Sequence, residues 1–130
     1  MNLSLERIAL FLLDMDGTFY LGDSLLPGAM DFVETIRSQG KRFLFLTNNS
    51  SKDSKQYADK LRRLQVDVDA SDVFTSGEAT AIFIKRRYGT ARIFVIGTQS
   101  LVRTFESYGH IVTKTDPQVV VLGYDTEVNY

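Results

Sequence analysis

The sequence predicts an α/β fold built on a doubly wound parallel sheet, and three observations carry that prediction. Short apolar runs recur along the chain, segments with helical periodicity lie between them, and Gly, Pro or Ser residues punctuate the junctions. Continuous apolar runs such as Ile8 to Leu13 and Phe43 to Leu46 are the pattern of strands covered on both faces, as in a parallel sheet.

Taken in order, the first strand is Ile8-Ala9-Leu10-Phe11-Leu12-Leu13. Gly22-Asp23 then suits a tight hairpin turn. A helix follows on Ala29, Met30, Phe32, Val33 and Ile36, with Pro27-Gly28 as its start and Gly40 as its stop. The second strand is Phe43 to Leu46. The next helix carries Tyr57, Ala58, Leu61 and Leu64, with Ser50 and Ser51 as its expected N-caps. Val73-Phe74-Thr75 is a short strand. A helix presenting Ala79, Ile82 and Phe83 ends at Gly89, strand Ile93 to Ile96 follows, and a helix carrying Leu101, Val102, Phe105 and Tyr108 runs up to Gly109. Val119 to Leu122 is the last strand.

Composition narrows the function classes. The 130 residues include 15 basic and 16 acidic side chains, so nothing in the charge balance favours nucleic acid or an anionic membrane as partner. There is no cysteine, which excludes disulfides, thiolate metal sites and a cysteine nucleophile. That usage is compatible with a cytoplasmic protein. The run from Ile8 to Leu13 is too short to span a bilayer.

Two polar constellations stand at strand ends, where open α/β sheets bind ligands. Asp14 and Asp16 follow the first strand, and Thr47-Asn48-Asn49-Ser50-Ser51 follows the second. Both carboxylates of Asp14-Met15-Asp16 can approach one magnesium ion. One could then attack phosphorus while the other moves protons. A plainer reading makes Asp16-Gly17 a chain reversal and Ser50 or Ser51 a helix cap. A calcium loop does not fit, because Thr18, Phe19 and Leu25 stand where Asp or Asn, Gly and Glu are required. Neighbouring strands lie about 4.8 Å apart, so Thr47 can face the pocket of Asp14, with the loop after it opening toward a helix N-terminus that attracts anions.

The stretches D-M-D-G-T at 14 to 18 and T-N-N-S at 47 to 50 resemble the first two motifs of haloacid dehalogenase (HAD) superfamily phosphatases. Phe19 to Asp23 and Leu26-Pro27-Gly28-Ala29 are similar to the NagD-like, p-nitrophenyl phosphatase-like branch (subfamily IIA), and the likeness runs on through Thr75 to Ala79 and Val121 to Asp125. The resemblance implies a HAD-like core over residues 1–76 and the first part of an inserted α/β cap over 77–130, with the later lysine and acidic motifs of the family not among these residues. It implies Asp14 as nucleophile and Mg2+ ligand, and Asp16 as acid/base and Mg2+ ligand through its backbone carbonyl. Thr47 and Asn48 are implied as phosphoryl-binding residues, with Asn49 either touching substrate or holding the loop.

The function so implied is hydrolysis of a small phosphomonoester through an aspartyl-phosphate, with the chain inactive or nearly so by itself and open to pairing with another copy through bare apolar edges. A phosphomutase or phosphotransferase would use the same aspartates, and a non-catalytic phosphate-binding module is the reading from a different class. Lys85 and Lys114 read as surface residues, His110 as structural, and Asp125 and Glu127 as strand-end residues.

Overall fold

The computed structural model describes residues 5–126 and contains eight strands and four α-helices in the order expected of an α/β chain. Strand β1 is Leu10–Asp14, and a two-stranded hairpin, β2 (Tyr20–Leu21) and β3 (Ser24–Leu25), follows it. Helix α1 spans Ala29–Ser38, β4 Arg42–Thr47, α2 Ser54–Arg63 and β5 Val73–Thr75. Helix α3 is Ser76–Tyr88, β6 Arg92–Ile96, α4 Gln99–Ser107, β7 Ile111–Val112 and β8 Val119–Leu122.

These strands form two parallel three-stranded sheets, ordered β1-β4-β5 and β7-β6-β8. Phe45 is fully buried on the central strand β4 and packs edge-on against Phe19 and Phe43. Met15, Tyr20, Val33, Tyr57 and Leu61 complete that core around it. A second core of Ala81, Ile84, Ile93, Leu101 and Phe105 lies under the second sheet. The hairpin turns at Gly22-Asp23 as expected, with Gly22 at a φ of 58° that suits glycine. Among the described residues no helix is long and apolar enough to cross a membrane.

Three local expectations are corrected. Helix α2 is capped by Asp53, whose side chain accepts from the Gln56 amide at 2.9 Å while Gln56 Oε1 accepts from the Asp53 amide at 3.0 Å, so neither Ser50 nor Ser51 caps it. Losing that reciprocal cap through Asp53→Ala should cost about 1 kcal/mol, read as a lower urea midpoint. Helix α3 starts at Ser76, capped by Thr75, and buries Gly77, Ala81 and Ile84, leaving Phe83 62% exposed. Small side chains on that face let α3 and α4 approach closely. Finally, the apolar runs of β1 and β8 are covered on one face only among the described residues, with Leu12 59% exposed and Leu122 77% exposed, whereas Phe43 to Leu46 on β4 are all buried or half-buried.

Candidate active site

The carboxyl ends of β1 and β4 bring the candidate residues together through strand register. Asp14 pairs with Leu46, so Thr47 stands one residue past it on the neighbouring strand. Met15, fully buried, anchors the turn after β1, its carbonyl oxygen accepting from the amides of Phe19 at 2.9 Å and Tyr20 at 3.2 Å. The turn passes Gly17 at a φ of 78°, where a side chain would be strained, and leaves Asp14 and Asp16 both exposed on its rim. Thr18 Oγ1 donates to Asp14 Oδ2 at 2.9 Å and orients that carboxylate.

The loop after β4 is held by its own side chains. Thr47 is buried, and its Oγ1 accepts from the Asn49 amide at 3.1 Å. Asn49 Oδ1 accepts from the Ser51 amide at 2.9 Å, and the Asn49 carbonyl accepts from the Tyr57 hydroxyl at 3.3 Å. The Asn49 side chain is therefore engaged in shaping the loop. The Asn48 carbonyl accepts from Ser76 Oγ at 2.9 Å, and the Asn48 residue is exposed toward a cavity of about 260 Å³ that Ser50, Thr80, Phe105 and Tyr124 also line. Helix α2 begins seven positions after Thr47 with its own Asp53 cap, so its N-terminus does not open directly from the Thr-Asn-Asn stretch.

The second sheet reaches the same loop. Ser50 Oγ accepts from the Tyr124 amide at 2.9 Å, and Thr98 Oγ1 donates to the Ser51 carbonyl at 2.9 Å. Gly123 lies against this contact, where a Cβ would fall 3.0 Å from Ser50 Oγ and 2.3 Å from Leu101 Cδ2. Asp125 lies close behind, and Glu127 is outside the described residues.

Two buried tyrosines lie below the rim. Burial pushes the Tyr20 hydroxyl pKa well above its usual value, and the negative charge of Asp16 adds to that, with Tyr57 and Asp14 behind it. Burial also raises Tyr57, opposed by the hydroxyl of Thr47, reinforced by Asp16 and opposed again by Ser51. Phenols that resist ionisation in the folded chain contribute stability that is whole below the unfolded value of about 10 and is lost as pH rises beyond it. Urea midpoints should therefore fall above about pH 10, and Tyr57→Phe should flatten that fall.

The remaining sequence readings can be located too. His110 is buried, with Nδ1 accepting from the Ala91 amide at 3.3 Å and Nε2 within 3.0 Å of the Ala81 carbonyl, a structural tie between α3 and β6. Lys85 Nζ donates to Thr90 Oγ1 at 2.7 Å on the surface, and Lys114 is exposed. Sequence reasoning gave Thr18 and Tyr20 no role at the site and read Tyr57 only as an apolar-face residue of its helix, where it is buried. Thr18 carried a usable signal, a hydroxyl four positions after Asp14 in a tight turn, whereas Tyr20 carried none that periodicity could read.

Comparison with known proteins adds an independent line. A family model described as haloacid dehalogenase-like hydrolase matches residues 11–111. The chain is 36% identical over 120 residues to the 5'-nucleotidase YutF of Bacillus subtilis, covering 92% of this chain and 47% of that protein. Its fold superposes on 4-nitrophenylphosphatase from Thermotoga maritima with a TM-score of 0.92 at 52% identity, covering 97% of this chain and 48% of the other. It also superposes on a glycerol phosphate phosphatase from Mycobacterium tuberculosis solved in complex with magnesium, with a TM-score of 0.87 at 26% identity, covering 96% of this chain and 39% of that one. The chain spans about half the length of the curated relatives it matches.

Proposed function

The chain belongs to the haloacid dehalogenase-like hydrolases, and from that premise we propose that it carries the nucleophile and phosphoryl-binding loop of a cytoplasmic, magnesium-dependent phosphatase acting on a small phosphomonoester. The observation that carries the reading is the juxtaposition at two adjacent strand ends: Asp14 and Asp16 on the turn after β1, and Thr47 with Asn48 after β4.

In this reading an Asp14 oxygen attacks phosphorus and the bond to the leaving oxygen breaks, Asp16 giving that oxygen its proton. Asp16, now ionised, takes a proton from water, the water oxygen attacks phosphorus, and the bond to Asp14 breaks to release inorganic phosphate. The Thr47 hydroxyl and the Asn48 amide donate to phosphoryl oxygens, where preorganised donors lower the barrier most. Asn49 supports the loop that aims them. Two exposed carboxylates at one strand end suit Mg2+, a hard ion that keeps several waters and takes few protein ligands. Among the described residues no cluster of three or more acidic or histidine side chains competes for a metal. Bound by Asp14 and the Asp16 carbonyl, magnesium would hold Asp14 ionised and offset phosphoryl charge.

We further propose that residues 1–76 belong to the catalytic core and 77–130 to a cap, a division supported by the two separate sheets. On this reading the 130 residues alone turn over slowly or not at all, because neither Lys85 nor Lys114 is set against the phosphoryl group. The experiment measures p-nitrophenol release from p-nitrophenyl phosphate by the chain itself. It is repeated with a chimera in which the chain replaces the matched half of the Thermotoga maritima phosphatase. Release by the chimera that needs magnesium and disappears with EDTA is expected; a folded chimera with no release, or release indifferent to EDTA, would sink the proposal.

A further inference from the structure

The Tyr20 hydroxyl is the one feature of the site that its surroundings leave unexplained. Tyr20 is 0% exposed, and its hydroxyl oxygen is buried without a hydrogen-bond partner among the described residues. A buried hydroxyl without a partner forfeits a favourable interaction, so such groups are rare and call for an explanation. Tyr57, the other buried phenol beneath the rim, has its acceptor in the Asn49 carbonyl at 3.3 Å.

What surrounds Tyr20 restricts where its proton can go. Lys60 Nζ lies 4.0 Å from the centroid of the ring and covers one face, as a cation over an aromatic does. Residues 16 and 20 pair through an isolated backbone bridge, with the Gly17 amide donating to the Tyr20 carbonyl at 2.8 Å, which holds the backbones of the two residues side by side. The negatively charged groups that the hydroxyl senses are Asp16 and, more weakly, Asp14, and a carboxylate of either could accept its proton in a hydrogen bond. Asp14 already has a donor in Thr18.

We propose that Tyr20 is a positioning residue for Asp16: its hydroxyl donates to the Asp16 carboxylate when that side chain turns inward from the rim. The inference rests on the reading of Asp16 as the proton-transfer group. A carboxylate serving as acid and then as base has to keep one oxygen directed at the leaving group and at water in turn. A fixed donor to its other oxygen restricts the rotation that would otherwise scatter it. Thr18 performs the same service for Asp14, so each aspartate would have its own hydroxyl drawn from the same turn.

The pairing is tested without turnover by labelling the six tyrosines of the chain at Cζ with carbon-13 and identifying Tyr20 by its loss in Tyr20→Phe. Asp16→Ala should move the Tyr20 resonance well beyond any movement of Tyr57, which also feels the Asp16 charge but donates elsewhere. Asp16→Asn, which keeps an acceptor, should move it less. Equal movement of both tyrosines, or none, would overturn the pairing, and unchanged amide spectra away from residues 14–20 guard against misfolding. In the active chimera, Tyr20→Phe should lower kcat about 10- to 100-fold with KM unchanged, the scale of one hydrogen bond to a charged group. It should add nothing once Asp16 is Asn, and a fully additive loss would overturn the positioning role. A chimera without activity but with the expected Cζ shifts would count against the phosphatase reading and leave the pairing in place.

Discussion

Asp14→Asn is expected to lower magnesium-dependent p-nitrophenol release by the chimera about 10,000-fold or more, the scale on which loss of a covalent nucleophile lowers kcat. The substitution separates chemistry from folding because Asp14 is exposed and its one side-chain tie among the described residues is the hydrogen bond from Thr18 Oγ1 at 2.9 Å, which an amide oxygen still accepts. Thermal and urea midpoints should therefore stay within about 0.5 kcal/mol of the parent, as for surface changes in general. An amide is a poor nucleophile and a weaker ligand for a hard cation, so phosphoryl transfer and magnesium affinity fail together. Thr18→Ala provides the graded comparison: it frees the carboxylate without removing it, and about a tenfold loss fits one missing orienting hydrogen bond. Asp14→Asn retaining more than a few per cent of the parent rate would mean that another group attacks phosphorus.

Much of the architecture could be read from the chain because its signals are local. Each strand leading to the site is an apolar run that stops at polar residues, so the positions of Asp14 and Thr47 follow from where the runs stop. The hairpin follows from Gly22-Asp23, and the structural role of His110 follows from its place just after Gly109 at the end of a helix. What could not be read depends on distant partners. Ser50 and Ser51 look like caps because nothing local shows that Tyr124, 74 residues on, takes the Ser50 hydroxyl and that Thr98 takes the Ser51 carbonyl. Once those serines are committed elsewhere, the helix starts later and Asp53 caps it.

The same limit explains Tyr20. An aromatic residue beside a D-G turn has no periodic neighbours to show which way it faces, and only the packed core shows that it points inward. Buried polar groups are thus the part of a site least visible in a sequence, because their roles come from whatever chain segments close over them.

The largest stability effect should come from Phe45→Ala, with a loss of about 3–5 kcal/mol in urea unfolding. Phe45 is 0% exposed on the central strand, paired to Leu13 on one side and Val73 on the other. Its ring meets Phe19 at 4.7 Å and Phe43 at 5.4 Å between centroids. Truncation would therefore open a cavity against the two remaining rings, in a sheet whose other strands lie at its edges and cannot collapse inward without breaking register. Against a total of about 5–15 kcal/mol for a domain, that is enough to leave much of the chain unfolded. Because Phe19 belongs to the turn that carries Asp16, the loss should also loosen the site before global unfolding, seen as faster amide exchange over residues 15–20. Phe83→Ala is the matched control on α3. Helical spacing alone puts Phe83 on the buried face, whereas the structure leaves it 62% exposed, so its removal should change stability by no more than about 0.5 kcal/mol. A large loss at Phe83 with a small one at Phe45 would invert the packing described for both cores.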